Sequence, residues 1–372
     1  MIGLANFKLQ WEHSREAYLA AVERVGQSGW LILGKEVEQF EADLAKFWGA
    51  KYAVGVASGL DALEIAFRCA GMKAGDVVLT TPMSAFATTL AIVKVGAVPV
   101  FADLDEHGAL DLDDGAKVIA GLPVKPRFIV PVHLYGHPMR LDRLSAFAQK
   151  HQLVVLEDCA QAIGASFEGR HVGSLSPVFA TSFYPTKNLG AFGDGGALLT
   201  DDPAIRDRAR CLRDYGQSDK YQHSEIGLNS RLDELHAAMM RSVQLPALAS
   251  QTKRRREIAQ RYLQGLSHPK LRAVRPPQGG ESSWHLFALI VDGDRESFKK
   301  HLAGAGVASG VHYPTLIPHQ PAMRELGHAP NRTRQFPVGE RFAKQELSIP
   351  IHPFLTDAEV QTVIDACNRW TP

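Results

Sequence analysis

The chain has 372 residues, with 41 Lys+Arg against 40 Asp+Glu and a formal net charge of +1. This length allows two domains with a large shared core, and the balanced charge offers no basic excess for a nucleic-acid backbone or an anionic membrane. The apolar runs fall far short of the ~20 residues that span a bilayer, and residues 1–8 lack the features of a signal peptide. We therefore expect a cytoplasmic protein with no nucleic acid and no membrane as partner, whose four scattered cysteines stay reduced.

Short apolar runs alternate with helical patterns along the first two thirds of the chain. Strand-like runs occupy residues 77–80, 98–101, 128–132, 153–156 and 195–200. Helical patterns cover residues 60–69, 85–95 and 141–151. Alternation of this kind, with near-continuous apolar strands, predicts an α/β fold whose mostly parallel sheet is covered on both faces.

Two polar residues directly follow apolar strands. In a parallel sheet, ligands bind beyond the carboxyl ends of the strands, and His133 and Asp158 both occupy such positions. We therefore expect both side chains at the ligand-binding edge.

Asp158 and Lys187 together are informative, because one cofactor requires both a carboxylate and an amine. Asp158 precedes Lys187 of the run TSFYPTKN by 29 residues. Pyridoxal 5′-phosphate (PLP) requires an amine to hold its aldehyde as a Schiff base and a carboxylate to keep its pyridine nitrogen protonated. Neither residue is informative alone, since most lysines are solvated surface charges.

Residues 56–63 have the pattern of a strand end, a glycine turn and a helix start. The free N–H groups at such a helix N-terminus form an anion site, to which Ser58 and Ser182 would add hydroxyls. In isolation the pattern more often marks an ordinary helix cap. The run GDGG at 193–196 precedes a strand, which favours a turn over a dinucleotide-binding motif.

The last third of the chain begins with a charged helical region at residues 232–263. Its basic run at 253–256 allows a nucleic-acid patch, but the spacing of Ile258, Tyr262 and Leu266 favours one solvated helix face. The prolines and glycines at 276–280 mark a composition shift. We predict a large domain over residues 1–245 and a smaller α/β domain over residues 246–372.

Ordered sequence blocks extend over almost the whole chain. They are SGLDAL at 58–63, PVHLYG at 131–136, EDCAQA at 157–162, SFYPTKNLG at 182–190, GDGG at 193–196, GLNSRLDE at 227–234, HYP at 312–314, FPV at 336–338 and LSIP at 347–350. On these blocks the chain resembles the DegT/DnrJ/EryC1/StrS family of PLP-dependent nucleotide-sugar aminotransferases. The resemblance implies the type I PLP-dependent (aspartate aminotransferase-like) fold and a homodimer with active sites at the subunit interface.

The resemblance also implies roles for single residues. Lys187 would form the Schiff base, Asp158 would pair with the pyridine nitrogen and Gln161 would bond near the ring. The phosphate would be held by four residues of one subunit, with a fifth arriving from the other. Those four are Ser58, Gly59, Leu60 and Ser182, and the fifth is Asn229. Phe86 occupies the family's position for stacking on the ring, although a plain core phenylalanine is the alternative.

The same resemblance predicts the reaction. L-glutamate would donate the amino group and a keto sugar on a nucleotide diphosphate would accept it, without a metal. The lysine at 187 indicates transfer, because the relatives that dehydrate the sugar carry histidine there. Leu60 and the run SGWLILG at 28–34 look most like the branch acting on dTDP-3-keto-6-deoxyhexoses. A UDP- or GDP-linked 4-keto or 3-keto sugar is the alternative substrate.

By resemblance to that branch, four side chains would contact the sugar and the pyrophosphate. They are Tyr184, Lys220, His312 and Tyr313. Lys220 would equally suit a solvated loop. Two departures from the family pattern concern the substrate pocket and not the cofactor site. His319 lies five residues after the Tyr-Pro pair, whereas relatives often place a histidine four residues after it. The sequence of residues 83–85 is also unusual for the family. A non-catalytic regulator is the alternative of another class, but it would not need Lys187 and Asp158.

Overall fold

The computed structural model describes residues 1–325, 331 and 333–371. Its strands are β1 (Tyr52–Val56), β2 (Val77–Thr80), β3 (Val98–Phe101), β4 (Phe128–Val130), β5 (Val154–Val155), β6 (Ser166–Phe167), β7 (Arg170–His171), β8 (Val178–Ser182), β9 (Gly196–Thr200), β10 (Gln217–Asp219), β11 (Gln222–His223), β12 (Leu271–Ala273), β13 (Gly280–Glu281), β14 (Phe287–Val291) and β15 (Glu346–Ile349).

The α-helices are α1 (Phe7–Ser28), α2 (Lys35–Trp48), α3 (Gly59–Cys69), α4 (Ala87–Lys94), α5 (Leu112–Gly121), α6 (Leu141–His151), α7 (Pro203–Arg213), α8 (Glu234–Met239), α9 (Leu245–Gly265), α10 (Arg295–Gly304), α11 (Pro321–Glu325), α12 (Pro337–Gln345) and α13 (Asp357–Asn368). Within the described ranges, none of these helices has the length and apolar character needed to cross a bilayer.

The central sheet is built from two groups of strands. Strands β3, β2, β4 and β5 pair in that order and run parallel, whereas β9 pairs antiparallel with both β8 and β1. Asp158 joins the groups, since its backbone makes parallel bridges to Val132 and to Ala180 in β8. One sheet results, in the order β3–β2–β4–β5–β8–β9–β1. Of these seven strands only β9 runs against the others, so the predicted mostly parallel sheet is confirmed.

The elements expected from apolar patterning form close to their predicted places. Strands β2 and β3 have the predicted bounds, and every residue of β2 is buried because helices cover both faces of the sheet. Helix α6 has the predicted bounds, and α3 begins one residue early, at Gly59. The run at 153–156 forms only the short β5.

A smaller antiparallel sheet lies in the C-terminal part of the chain. Strands β12, β14 and β15 pair in that order and share a core with α10 and α13. Helix α9 contributes to two cores, because Leu248 packs beneath the large sheet while Ile258 and Tyr262 pack in the small one. Ile2 bridges to Val307 beside the same small core. The division at residue 245 stays a prediction.

Candidate active site

Asp158 lies where the two groups of strands meet, at the carboxyl edge of the sheet. Its side chain is 4% exposed. The Thr88 hydroxyl donates to Oδ2 over 2.8 Å, and the backbone N–H of Ala160 donates to Oδ1 over 3.0 Å. The hydroxyls of Thr88 and Ser84 are 2.7 Å apart. The carboxylate is therefore held in one orientation by groups from α4 and from its own loop.

Lys187 follows β8 in a turn in which its backbone N–H donates to the carbonyl of Tyr184 over 2.8 Å. Its side chain faces the same cavity as Asp158. Burial lowers the pKa of the Lys187 amine to about 8, although the charge of Asp158 acts in the opposite direction. An amine in this range is partly neutral near pH 7–8, which a nucleophile or proton acceptor requires.

The N-terminus of α3 forms an open anion cradle next to this pair. The Ser58 hydroxyl caps the helix by accepting from the backbone N–H of Asp61 over 3.1 Å. The N–H groups of Gly59 and Leu60 precede the first helical hydrogen bond and donate to no described acceptor. A Cβ at Gly59 would lie 2.6 Å from Cβ of Ser182, so only glycine allows this close approach.

A cavity of about 530 Å³ brings most of the predicted residues together. Those lining it are Ser58, Gly59, Leu60, Asp158, Gln161, Ser182, Tyr184, Lys187, His312 and Tyr313. Tyr184 is 53% exposed and lies at the open side, whereas Asp158 and Gln161 are buried. The cavity therefore runs from solvent to the edge of the sheet.

Three predicted residues do not line this cavity in the single chain. Phe86 is half-buried and packs against a neighbouring apolar cluster, although Ala85 and Ala87 on either side line the cavity. Lys220 is exposed at the tip of the β10–β11 hairpin. Asn229 is exposed too, and its side-chain oxygen accepts from Arg231. Their predicted roles stay predictions.

Gln161 is fixed by bonds at both ends of its amide. Its Oε1 accepts from the backbone N–H of Tyr135 over 2.7 Å, and its Nε2 donates to the Tyr313 hydroxyl over 3.3 Å. Burial, reinforced by the charge of Asp158, raises the pKa of Tyr313 to about 12. The Tyr313 phenol therefore stays protonated and can donate to a ligand oxygen.

His312 is held by a second buried carboxyl group. The His312 backbone N–H donates to Oε2 of Glu346 over 2.5 Å, and its Nδ1 lies 3.0 Å from the Ser348 hydroxyl. That hydroxyl donates to Oε1 of Glu346 over 2.6 Å. The contact with Ser348 therefore fixes the orientation of the His312 ring. Burial, followed by the charge of Lys187, lowers the pKa of His312 to about 4, so the ring is neutral.

Comparison with known proteins agrees with this geometry. The profile of the DegT/DnrJ/EryC1/StrS aminotransferase family matches residues 12–368. The chain belongs to this family. It is 41% identical to the dTDP-3-amino-3,4,6-trideoxy-alpha-D-glucose transaminase of Streptomyces venezuelae, over 98% of this chain and 95% of the relative. It is 43% identical to the erythromycin biosynthesis sensory transduction protein EryC1 of Saccharopolyspora erythraea, over 92% of each chain.

The fold matches that of solved structures of aminotransferases from this family. The crystal structure of DesV from S. venezuelae superposes with a TM-score of 0.92 at 40% identity, covering 100% of this chain and 98% of DesV. The predicted type I PLP-dependent fold is therefore confirmed, and the chain is a PLP-dependent sugar aminotransferase. A non-catalytic regulator is thereby set aside.

The residues of this aminotransferase fit PLP on structural grounds. Lys187 supplies an amine, Asp158 supplies an oriented buried carboxylate, and the free N–H groups of Gly59 and Leu60 suit a phosphate. These groups converge on one cavity, as a single cofactor would require. The chain therefore presents an amine that suits the aldehyde, a carboxylate that suits the ring nitrogen and N–H donors that suit the phosphate.

The expectation for His133 was wrong. His133 does not reach the cavity, because its ring is fully buried between Glu157 and the backbone of Met139. Its Nδ1 accepts from the Met139 N–H over 3.1 Å, so its Nε2 donates to Glu157 over 3.0 Å. His133 therefore stabilises the strand ends and leaves the ligand edge to Asp158.

The assignment of the whole basic run in α9 to a solvated face was also wrong. Arg255 is 7% exposed and lines the cavity, on the same helix face as Ile258 and Tyr262. Arg255 precedes Ile258 by three residues and Tyr262 by seven, and this helical spacing was the sequence signal that could have placed it on the buried face. Thr88 was missed as well, since nothing in its own segment shows that Asp158 is its partner.

Proposed function

We propose that this aminotransferase transfers the amino group of L-glutamate to a dTDP-linked 3-keto-6-deoxyhexose, giving 2-oxoglutarate and the 3-amino sugar. The observation that carries the proposal is one cavity lined by the partly neutral amine of Lys187 and the buried carboxylate of Asp158. The identity of the acceptor rests on the similarity to a dTDP-3-amino sugar transaminase.

When bound, PLP supplies an aldehyde and an electron-withdrawing ring. Lys187 would hold the aldehyde carbon and, once displaced by the donor, would take the proton from the donor Cα. Its lowered pKa keeps a neutral fraction of the amine available for that step. Asp158 would accept a hydrogen bond from the ring N–H while Thr88 and Ala160 hold its orientation.

The cavity also offers groups for the sugar. His312 presents a neutral imidazole ring and Tyr313 a protonated phenol, and both line the cavity with the exposed Tyr184. A keto sugar carries hydroxyls that donate and a carbonyl that accepts, which these two groups complement. Lys220 would reach the pyrophosphate as a point charge.

We further propose that the protein acts as a homodimer with shared sites. Asn229 would complete the phosphate site of the partner subunit. Large apolar side chains remain exposed in the single chain, including Trp30 at 61%, Leu31 at 58% and Ile226 at 89%. Apolar surface of this kind favours burial against a second copy.

A panel assay tests the proposed reaction. Purified enzyme would be supplied with PLP, L-glutamate and dTDP-, UDP- and GDP-linked 3-keto or 4-keto sugars, and 2-oxoglutarate and the amino sugar would be measured together. We expect the dTDP-linked 3-keto-6-deoxyhexose to give the highest kcat/KM. Lys187→Ala is the control for enzyme-dependent transfer. A clear preference for a UDP- or GDP-linked sugar would overturn the assigned acceptor.

A further inference from the structure

Arg255 is a buried cation on the wall of the active-site cavity. Its side chain is 7% exposed, and it lines the same cavity as Lys187. Its Nη1 donates to the backbone carbonyls of Trp284 over 3.2 Å and Ile351 over 2.6 Å. These bonds occupy both Nη1 protons, while its Nη2 and Nε donate to no acceptor in the described part of the chain.

The two flanking arginines show what Arg255 lacks. Arg254 pairs with Asp357 over 2.7 Å, and Arg256 pairs with Glu281 over 3.3 Å. Among residues 1–325, 331 and 333–371, Arg255 has no carboxylate within ion-pair distance. Of three consecutive arginines, the most buried one is therefore the one without an anion.

A guanidinium in this position is costly to the free enzyme. Removing a charge from water is unfavourable unless an opposite charge compensates it, and burial alone lowers the pKa of Arg255 to about 10. Two backbone carbonyls offset only part of that cost, since they carry dipoles and no net charge. An anion bound next to the unused donors would supply the missing compensation.

The surrounding side chains do not supply that anion. His285 lines the cavity, and burial followed by the charges of Lys187, Arg255 and His312 lowers its pKa well below the usual range. Burial, then Arg255, lowers the pKa of His352 to about 4. Both rings are thus neutral, and the Asp158 carboxylate is already bonded to Thr88 and Ala160.

The chemistry of the unused donors indicates the kind of anion. A guanidinium presents its N–H groups in a planar fork that matches the two oxygens of a carboxylate. A phosphate has its own cradle at the N-terminus of α3, formed by the free N–H groups of Gly59 and Leu60. A carboxylate close to Lys187 would bring an attached amino group within reach of the cofactor site.

We propose that Arg255 binds a carboxylate group of the amino-acid donor. This subsite rests on the proposed function for the identity of the donor, L-glutamate, and on the structure for the anion class. The buried cation then has two uses: it anchors the amino acid at the inner wall, and it disfavours simple amines, which lack a carboxylate.

Equilibrium binding to the PLP-loaded enzyme tests the subsite without turnover. The probe is glutarate, which has the two carboxylates of glutamate but no amine to react, titrated calorimetrically. Loss of one partner of a buried charged pair should raise the Kd by about thirty-fold or more in Arg255→Gln. Arg256→Gln is the matched control, because Arg256 also bonds backbone carbonyls but already has Glu281 as partner.

Two further measurements keep the test decisive. The visible spectrum and the thermal midpoint of each variant show whether cofactor and fold are retained. Should Arg255→Gln not fold, Arg255→Lys keeps the charge but loses the fork, and the Kd for glutarate should rise by about ten-fold.

Unchanged glutarate affinity in folded Arg255→Gln, or no glutarate binding to the wild-type enzyme, would overturn the subsite. Arg255-dependent glutarate binding in an enzyme that takes no amino group from L-glutamate would remove the proposed donor and leave the carboxylate subsite standing. The experiment therefore distinguishes failure of the Arg255 subsite from failure of L-glutamate as the amino donor.

Discussion

The Thr88 hydroxyl lies 2.8 Å from Oδ2 of Asp158 and donates to it. Its own partner is the Ser84 hydroxyl, 2.7 Å away. A short chain of hydroxyls thus links the start of α4 to the Asp158 carboxylate on the cavity wall, and Thr88 and Asp158 are 70 positions apart in the sequence.

Removing the Thr88 hydroxyl should therefore slow the reaction without removing the cofactor. A hydrogen bond to a charged group contributes about 1.5–3 kcal/mol, so Thr88→Val should lower kcat by roughly ten- to a hundred-fold. Thr88→Ser keeps the hydroxyl and is expected to stay within about three-fold of wild type. Equal rates for the valine and serine variants would show that this bond does not orient Asp158.

Replacement of Asp158 by asparagine should separate cofactor binding from catalysis. The amide keeps the size and the backbone bond to Ala160 but cannot hold the pyridine nitrogen protonated as a carboxylate does. We expect Asp158→Asn to retain part of its PLP, measured by absorbance, and to lose most of its transamination rate. Near-normal turnover would mean that another group pairs with the ring.

Lys187 should be the single point of covalent attachment. Borohydride reduction of the PLP-loaded enzyme followed by peptide mapping is expected to place the cofactor on the peptide containing residues 182–190. Lys187→Ala should be neither labelled nor active. A label on any other lysine would overturn the assignment.

Glu346 should make stability fall with rising pH. Burial raises its pKa to about 8, although the His312 N–H, the Ser348 hydroxyl and Arg295 favour the charged form. The unfolded chain ionises near pH 4.5 and the folded one near 8. This contribution is therefore fully present below about pH 4.5 and is lost as pH rises to about 8.

Glu346→Gln removes that titration while keeping the size of the side chain. Chemical denaturation at pH 5 and pH 8 should show the variant gaining stability relative to wild type as pH increases. Glu340→Gln, on the neighbouring α12, is the control for a general effect of charge. A constant difference between Glu346→Gln and wild type would contradict the raised pKa.

Subunit mixing tests the shared site. If Asn229 serves the neighbouring phosphate site, a heterodimer of Lys187→Ala and Asn229→Ala subunits contains one site free of both changes. Reassembled mixtures should then exceed the average activity of the two impaired parents. A fully active monomer on sizing, or a mixture that only matches this average, would rule out the shared site.

The sequence predicts most of the fold because short, continuous apolar runs that alternate with helical patterns are typical of a parallel sheet covered on both faces. It also predicts that Asp158 and Lys187 share a site, because an amine and a carboxylate together are what PLP requires. Thr88 and Glu346 are different, since each is an ordinary polar residue until a distant segment folds against it. His133 shows the limit of the strand-end rule: a position at the edge of a sheet does not decide whether a side chain faces the cavity or the core.

Helix α9 has a practical consequence for recombining members of this family. Its first turns pack beneath the large sheet, its last turns pack in the small core, and Arg255 lies between them. A chimera joined at residue 245 inherits Arg255 from the parent of the C-terminal part, whereas a junction after residue 265 inherits it from the parent of the N-terminal part. The choice of crossover point therefore decides which parent supplies this wall of the cavity. A junction at either end of the helix leaves one core packed against a foreign half of α9, whereas a junction inside the helix leaves each core packed against the half that comes from its own parent.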